Sequence, residues 1–216
     1  MMQPKEAIND FVIKFANVNG TGSASANGMF AKAIFRMGIP MSPRNIFPSN
    51  IQGLPTWYEV RISQDGYLGR RGGIDMMVSV NPHSFAKDVG EVEPGGYMLY
   101  DSTKPLDLRH VRRDIHYLGI PLTEMCLREY TDSRQRQLFK NVIYVGALSA
   151  LLNIDFAILK DLVSEQFKGK EKLITPNIHA LEMGHQFAST HFECPLGIHL
   201  KACLLYTSDA ADETGR

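Results

Sequence analysis

Gly20-Thr21-Gly22-Ser23 is the stretch whose residue types and spacing bear most directly on chemistry. It follows an apolar run, Phe11 to Ala16, and opens a small-residue stretch, Ser23 to Met37, that reads as helix. Strand, glycine turn and helix in that order form half of a nucleotide-binding βαβ unit, because the helix's free N–H groups and its dipole face any phosphate set against the turn. Ser25 stands in place of a third glycine, so the spacing alone is a weak dinucleotide signal and a purely structural turn accounts for it equally well. Between Asp10 and Glu59 there is no Asp or Glu, which disfavours nicotinamide binding: no carboxylate can take the ribose hydroxyl at the second strand. The same window holds Lys14, Lys32, Arg36 and Arg44, four cations without an acidic partner in that stretch. They suit an anionic ligand, an acidic partner surface or plain solvation.

Asn50-Ile51-Gln52-Gly53 is either an ordinary connecting loop or a polar loop at the C-terminal side of the sheet, where open α/β proteins place their sites; on the second reading Asn50 and Gly53 join the candidate binding residues. His179, His185 and His191 are six residues apart, and six residues advance a helix by about 600°, so their rings point to different sides and do not form a metal site. Glu124, Glu129 and Asp132 lie near Cys126, but no nucleophile, base and orienting acid can be assembled from them; Cys126 reads as a buried filler. No catalytic residue is assigned.

The elements that must position these residues alternate in character. Phe11 to Ala16 reads as a central strand covered on both faces, followed by a helix with apolar residues at Ala26, Met29, Phe30, Ala33, Ile34 and Met37, stopped at Gly38. Ile46 to Asn50 is a possible second strand, demoted to an edge by Pro43 and Pro48. Trp57 to Ser63 alternates as a half-exposed antiparallel strand does. Met76 to Val80 reads as a buried parallel strand, His83 to Val89 as a short helix, and Tyr97 to Tyr100 and His116 to Leu122 as further strands. Three helices follow: Arg134 to Leu152, apolar on nearly every side; one N-capped by Asp155 and running to about Phe167; and one starting at Thr175-Pro176 and running to about Phe192. The expected fold is α/β: a Rossmann-like, mostly parallel sheet with helices on both faces, an antiparallel strand or hairpin, and a C-terminal helical segment.

The 23 Lys and Arg balance the 23 Asp and Glu, so no global field recruits nucleic acid or an anionic membrane. Three cysteines without a C-x-x-C spacing cannot hold an iron–sulfur cluster unaided, and the odd number argues against a disulfide framework; a reducing cytoplasm fits best. No stretch approaches a membrane span. Residues from Leu204 onward break the pattern and resemble adapter read-through, so residues 1–200 are expected to form one domain, 201–216 a non-native tail, and the natural chain to continue further.

The run from Phe11 to Gly22, the loop Pro48 to Gly53 with Tyr58 to Ser63, Val80-Asn81-Pro82, Pro94-Gly95-Gly96 and Lys140 to Gly146 occur in that order. Together they resemble the gamma domain of 2-oxoacid:ferredoxin oxidoreductases, especially the version fused to the front of the alpha subunit in 2-oxoglutarate-type enzymes. The resemblance implies a domain that packs over the active-site region and is associated with coenzyme A access. Thiamine diphosphate, its magnesium and the iron–sulfur clusters would be held by other domains or subunits, with none held by this chain alone. The implied partners are an alpha domain, the beta subunit and ferredoxin. Gly20 and Gly22 match glycines of the family's turn, whereas Asn17 stands where its first glycine usually does and Thr21 where Asp or Gln is common. The alternative from the residues themselves is a stand-alone Rossmann-like module that binds coenzyme A or a nucleotide phosphate at Gly20 to Ser23.

Overall fold

The apolar run that begins at Phe11 lies inside a six-stranded sheet. In this computed structural model, which describes residues 3–18, 20–47, 55–67 and 69–203, the strands are β1 (Ala7–Ile8), β2 (Asp10–Val18), β3 (Met41–Ile46), β4 (Pro55–Ser63), β5 (Ile74–Ser79), β6 (Val92–Asp101), β7 (His116–Ile120) and β8 (Ile198–His199). The helices are α1 (Ser23–Arg36), α2 (Phe85–Glu91), α3 (Leu122–Glu129), α4 (Ser133–Leu151), α5 (Phe156–Gln166) and α6 (Glu171–His191). The large sheet has the order β3-β4-β2-β5-β6-β7. From β2 to β7 the neighbours are parallel; β4 alone runs against both β2 and β3. The expected antiparallel strand is thus β4, inserted between two parallel ones.

Alternation along β2 explains the two cores. Phe11, Ile13 and Phe15 face a large cluster shared with α1, α3, α4, α5 and α6, while Val12 and Ala16 face a smaller one with Met77, Met98 and Val89 of α2. Among the described residues helices do cover both faces, five on one and a single short one on the other. Each fully buried Phe, Ile or Leu contributes roughly 1.5–3 kcal/mol, which places most of the stability on the five-helix side.

Several boundaries differ from the sequence reading. The second strand lies at Met41–Ile46 rather than Ile46 to Asn50, and Pro43 is tolerated because β3 pairs with β4 alone, on the sheet edge. The strand from His116 stops at Ile120; Pro121 then leads into α3, which the sequence reading missed. Glu59, Arg61 and Ser63 are buried instead of half-exposed. The two charges are matched across strands, Glu59 with Arg44 at 2.8 Å and Arg61 with Asp10 at 2.5 Å. The third C-terminal helix starts at Glu171, not at Pro176, which sits inside it. Pro176 leaves only the carbonyl of the exposed Lys172 without its intrahelical donor, a loss that water offsets so near the helix start.

Helix α4 is buried continuously from Asn141 to Leu151, as its apolar sequence requires. It crosses α6 at two glycines. A Cβ on Gly146 would collide with the carbonyl of Leu181, and one on Gly184 with the carbonyl of Ile143. The two ends of the described chain are tied together: β1 pairs with β8, and the Asn9 side chain both donates to Lys201 O at 2.8 Å and accepts from Lys201 N at 2.9 Å. Among the described residues no helix is long and apolar enough to cross a membrane.

Candidate functional site

The glycine turn lies at the C-terminal end of β2, where the chain enters α1. Gly20 and Gly22 have φ of 80° and 81°, a left-handed backbone that side chains with a Cβ resist. Nothing crowds Gly20, so only its backbone angle calls for glycine. Gly22 is the N-cap of α1 and is also pressed by the Leu138 side chain of α4. Further along α4, Asn141 donates through Nδ2 to Thr21 O at 2.7 Å and to Gln137 O at 3.2 Å. Tyr144 donates its hydroxyl to Asn27 Oδ1 at 2.7 Å, and burial pushes that phenol's pKa far up. One face of α4 therefore roofs the turn and the start of α1, and Ser23 is buried beneath it. Phe15 packs edge-on against Phe30, with ring centroids 5.1 Å apart, under the same roof.

Asn17, where the turn could have begun with glycine, is 2% exposed, and its Oδ1 has no hydrogen-bond partner among the described residues. A buried acceptor left so costs about 1–3 kcal/mol unless something else meets it. Asn50 and Gly53 lie outside the described residues. Gly20, Thr21, Gly22 and Ser23 are contiguous in one turn. A cavity of about 250 Å³ opens beside it, walled by Met29, Leu138, Phe139, Val142 and Phe167.

The four cations of the acid-free window are not a free anion-binding set. Lys14 pairs with Glu91, Arg36 with Glu165 and Arg44 with Glu59. Lys32 lies near Glu165, whose carboxyl pKa is lowered first by the Arg36 hydrogen bond and then by the charges of Arg36 and Lys32. Partners from distant segments supply the acids that the local sequence lacks.

Two carboxylates that the sequence reading did not single out organise this end of the sheet. Asp88, fully buried, accepts from Trp57 Nε1 at 2.9 Å, Ser79 Oγ at 2.8 Å and Ser84 Oγ at 2.7 Å. Burial raises its pKa against the pull of those three donors. Asp101, the last residue of β6, accepts from Thr123 Oγ1, from Thr103 Oγ1 at 2.7 Å and from Lys140 Nζ at 3.3 Å. Burial opposes ionisation there, but the hydrogen bonds from Thr123 and Thr103 and the charge of Lys140 outweigh it and lower the pKa. The sequence signal for Asp88 was its place four residues after Ser84 on a short helix.

The histidines have separate partners: His179 meets Glu129 at 2.9 Å, His185 meets Ser149 Oγ at 2.8 Å, and His191 stacks on Phe187. Cys126 is 1% exposed, and burial pushes its thiol up to about 11, so it is a packing residue and not a nucleophile at neutral pH. Among the described residues no three His, Cys, Asp or Glu side chains are grouped as metal ligands. At the glycine turn a phosphate fits: the two left-handed glycines lead into a helix start that has no side-chain cap.

A family profile described as pyruvate ferredoxin/flavodoxin oxidoreductase matches residues 12–187. Subunit alpha of 2-oxoacid:ferredoxin oxidoreductase 2 from Aeropyrum pernix is 22% identical over 223 residues, covering 86% of this chain and 35% of the relative. The 2-oxoglutarate synthase subunit KorC of Archaeoglobus fulgidus is 24% identical over 176 residues, covering 81% of this chain and 88% of that subunit. Among solved structures, the 2-oxoglutarate:ferredoxin oxidoreductase of Magnetococcus marinus shares the fold with a TM-score of 0.79 at 23% identity, over 90% of this chain and 33% of that one. The gamma subunit of a keto/oxoacid ferredoxin oxidoreductase from Geobacter sulfurreducens PCA gives 0.65 at 19% identity, over 83% of this chain and 99% of that one. This chain thus spans about a third of the length of the Aeropyrum and Magnetococcus chains. On the match across residues 12–187, the chain belongs to the pyruvate ferredoxin/flavodoxin oxidoreductase family.

Proposed function

We propose that residues 1–200 are the gamma-domain portion of a 2-oxoacid:ferredoxin oxidoreductase, with 2-oxoglutarate the preferred substrate class. In that reaction a 2-oxoacid and coenzyme A give an acyl-CoA and carbon dioxide while two electrons pass to ferredoxin. The observation that carries the reading is the family match over residues 12–187, with an alignment to the subunit KorC that covers 88% of that subunit. The Magnetococcus enzyme has 2-oxoglutarate, coenzyme A and succinyl-CoA bound.

In this reading thiamine diphosphate, with its magnesium, supplies the decarboxylation chemistry from an alpha domain and beta subunit, and their iron–sulfur clusters serve ferredoxin. This chain's own residues bind and orient. The turn Gly20, Thr21, Gly22 and Ser23 forms one wall of the coenzyme A approach. Main-chain N–H groups at the start of α1 face a phosphate there, and α4 holds the turn rigid through Leu138 and Asn141. The three unpaired cysteines suit a cytoplasmic complex.

The test is reconstitution. The chain expressed with a beta subunit alone should give no 2-oxoacid-dependent viologen reduction, and adding the thiamine-binding alpha region should restore it. Turnover without that region overturns the proposal.

A further inference from the structure

A second hollow, of about 460 Å³, lies between α3 and the first turns of α4, at the same end of the sheet as the glycine turn. Arg134, Arg136 and Lys140 line it with Thr123, Ser133 and Gln137, and its wall holds no carboxylate. Like charges gathered around a concavity repel one another and are stable only when offset. Lys140 is offset in part, donating to Thr123 Oγ1 at 2.6 Å and to Asp101 at 3.3 Å, and these bonds also fix its position. Arg136 is held by its Nε, which donates to Tyr130 O at 2.6 Å and leaves both terminal nitrogens unspent. Among the described residues neither Arg134 nor Arg136 has a carboxylate partner. The hollow is distinct from the glycine turn, because Leu138 and Asn141 of α4 face the turn while its cations line the hollow.

We propose that this hollow binds a phosphate or diphosphate group. Two guanidinium forks match phosphate oxygens in pairs, a fixed ammonium adds a point charge, and the hydroxyl of Ser133 supplies a neutral donor. A small concave site suits a compact polyanion better than the broad surface of an acidic protein. The assignment stands independently of the oxidoreductase reading.

Isothermal titration of the full chain with inorganic pyrophosphate tests it. Saturable binding that weakens as salt rises is expected, and R134Q/R136Q should weaken it at least about tenfold, since it removes both guanidinium groups from the hollow. Because Arg136 also secures Tyr130 O, R134E alone serves as a second variant: its side chain is exposed, its circular dichroism should match the parent, and its binding should fall likewise. Three results overturn the proposal: no saturable binding, binding that both variants leave unchanged, or a hexaglutamate peptide binding more tightly than pyrophosphate.

Discussion

Gly184 of α6 lies so close to the main chain of Ile143 in α4 that no Cβ fits between them, and one helical turn away Gly146 stands in the same relation to Leu181. The obstacle in both cases is backbone, which cannot swing aside as a side chain does. Gly184→Ala or Gly146→Ala must therefore separate α4 from α6 and should cost about 3 kcal/mol or more. Gly28→Ala in α1 meets open space and should instead stabilise by about 0.5–1 kcal/mol. Urea unfolding of the three variants checks this, and equal effects would contradict it.

The glycine turn predicts a graded pair. Gly20→Ala is opposed only by its left-handed φ and should cost about 1–2 kcal/mol. Gly22→Ala meets the Leu138 side chain as well and should cost more, with part of the excess recovered in Gly22→Ala/Leu138→Ala. A double-mutant cycle by chemical denaturation measures that coupling; additive costs would show that Leu138 does not press on the turn.

Asp88 should make the fold less stable as pH rises. Its folded-state pKa is raised by burial, so between the ordinary carboxylate value and the raised one the folded state binds the extra proton. Stability from this group is fully present below pH of about 4 and is lost as pH climbs through the folded value. Asp88→Asn keeps the shape and removes that slope, so the stability difference between parent and variant should fall from acid to neutral pH. Asp88→Ala strands the Trp57 indole and should cost about 1–3 kcal/mol at any pH.

Cys126 should resist modification. With its thiol pushed up to about 11 and shielded from solvent, it should react with a disulfide reagent at pH 8 only upon unfolding, after the partly exposed Cys203. Mass spectrometry of the labelled native protein would show this order, and early labelling at Cys126 would disprove it.

The strands β2, β4, β5 and β6 were legible because their apolar runs and alternation are local patterns, and so was α4. The short helix α3 was not: eight residues after Pro121 give too few turns for a periodicity to stand out. Pro176 misled because proline favours a helix start, and the exposed Lys172 tolerates one missing bond. Pairing was the larger gap. Lys14, Arg36 and Arg44 looked unmatched in sequence, yet Glu91, Glu165 and Glu59 reach them through folding, and a chain read in order has no measure of that proximity. For the same reason the glycine turn could be found from sequence, whereas its roof, Leu138 and Asn141 more than a hundred residues later, could not.

The Asn9 amide bonds both backbone groups of Lys201, 192 residues away, beside the β1–β8 pair. A protein emerging from the ribosome cannot make these bonds until residue 201 is clear of the exit tunnel. The large sheet can assemble earlier, but the first strand waits unlatched until β8 and Lys201 have been made. Pairing β1 with β8 is therefore a late step in forming this domain, and any stall before residue 201 emerges leaves the Ala7–Ile8 segment open to capture by a chaperone or a protease.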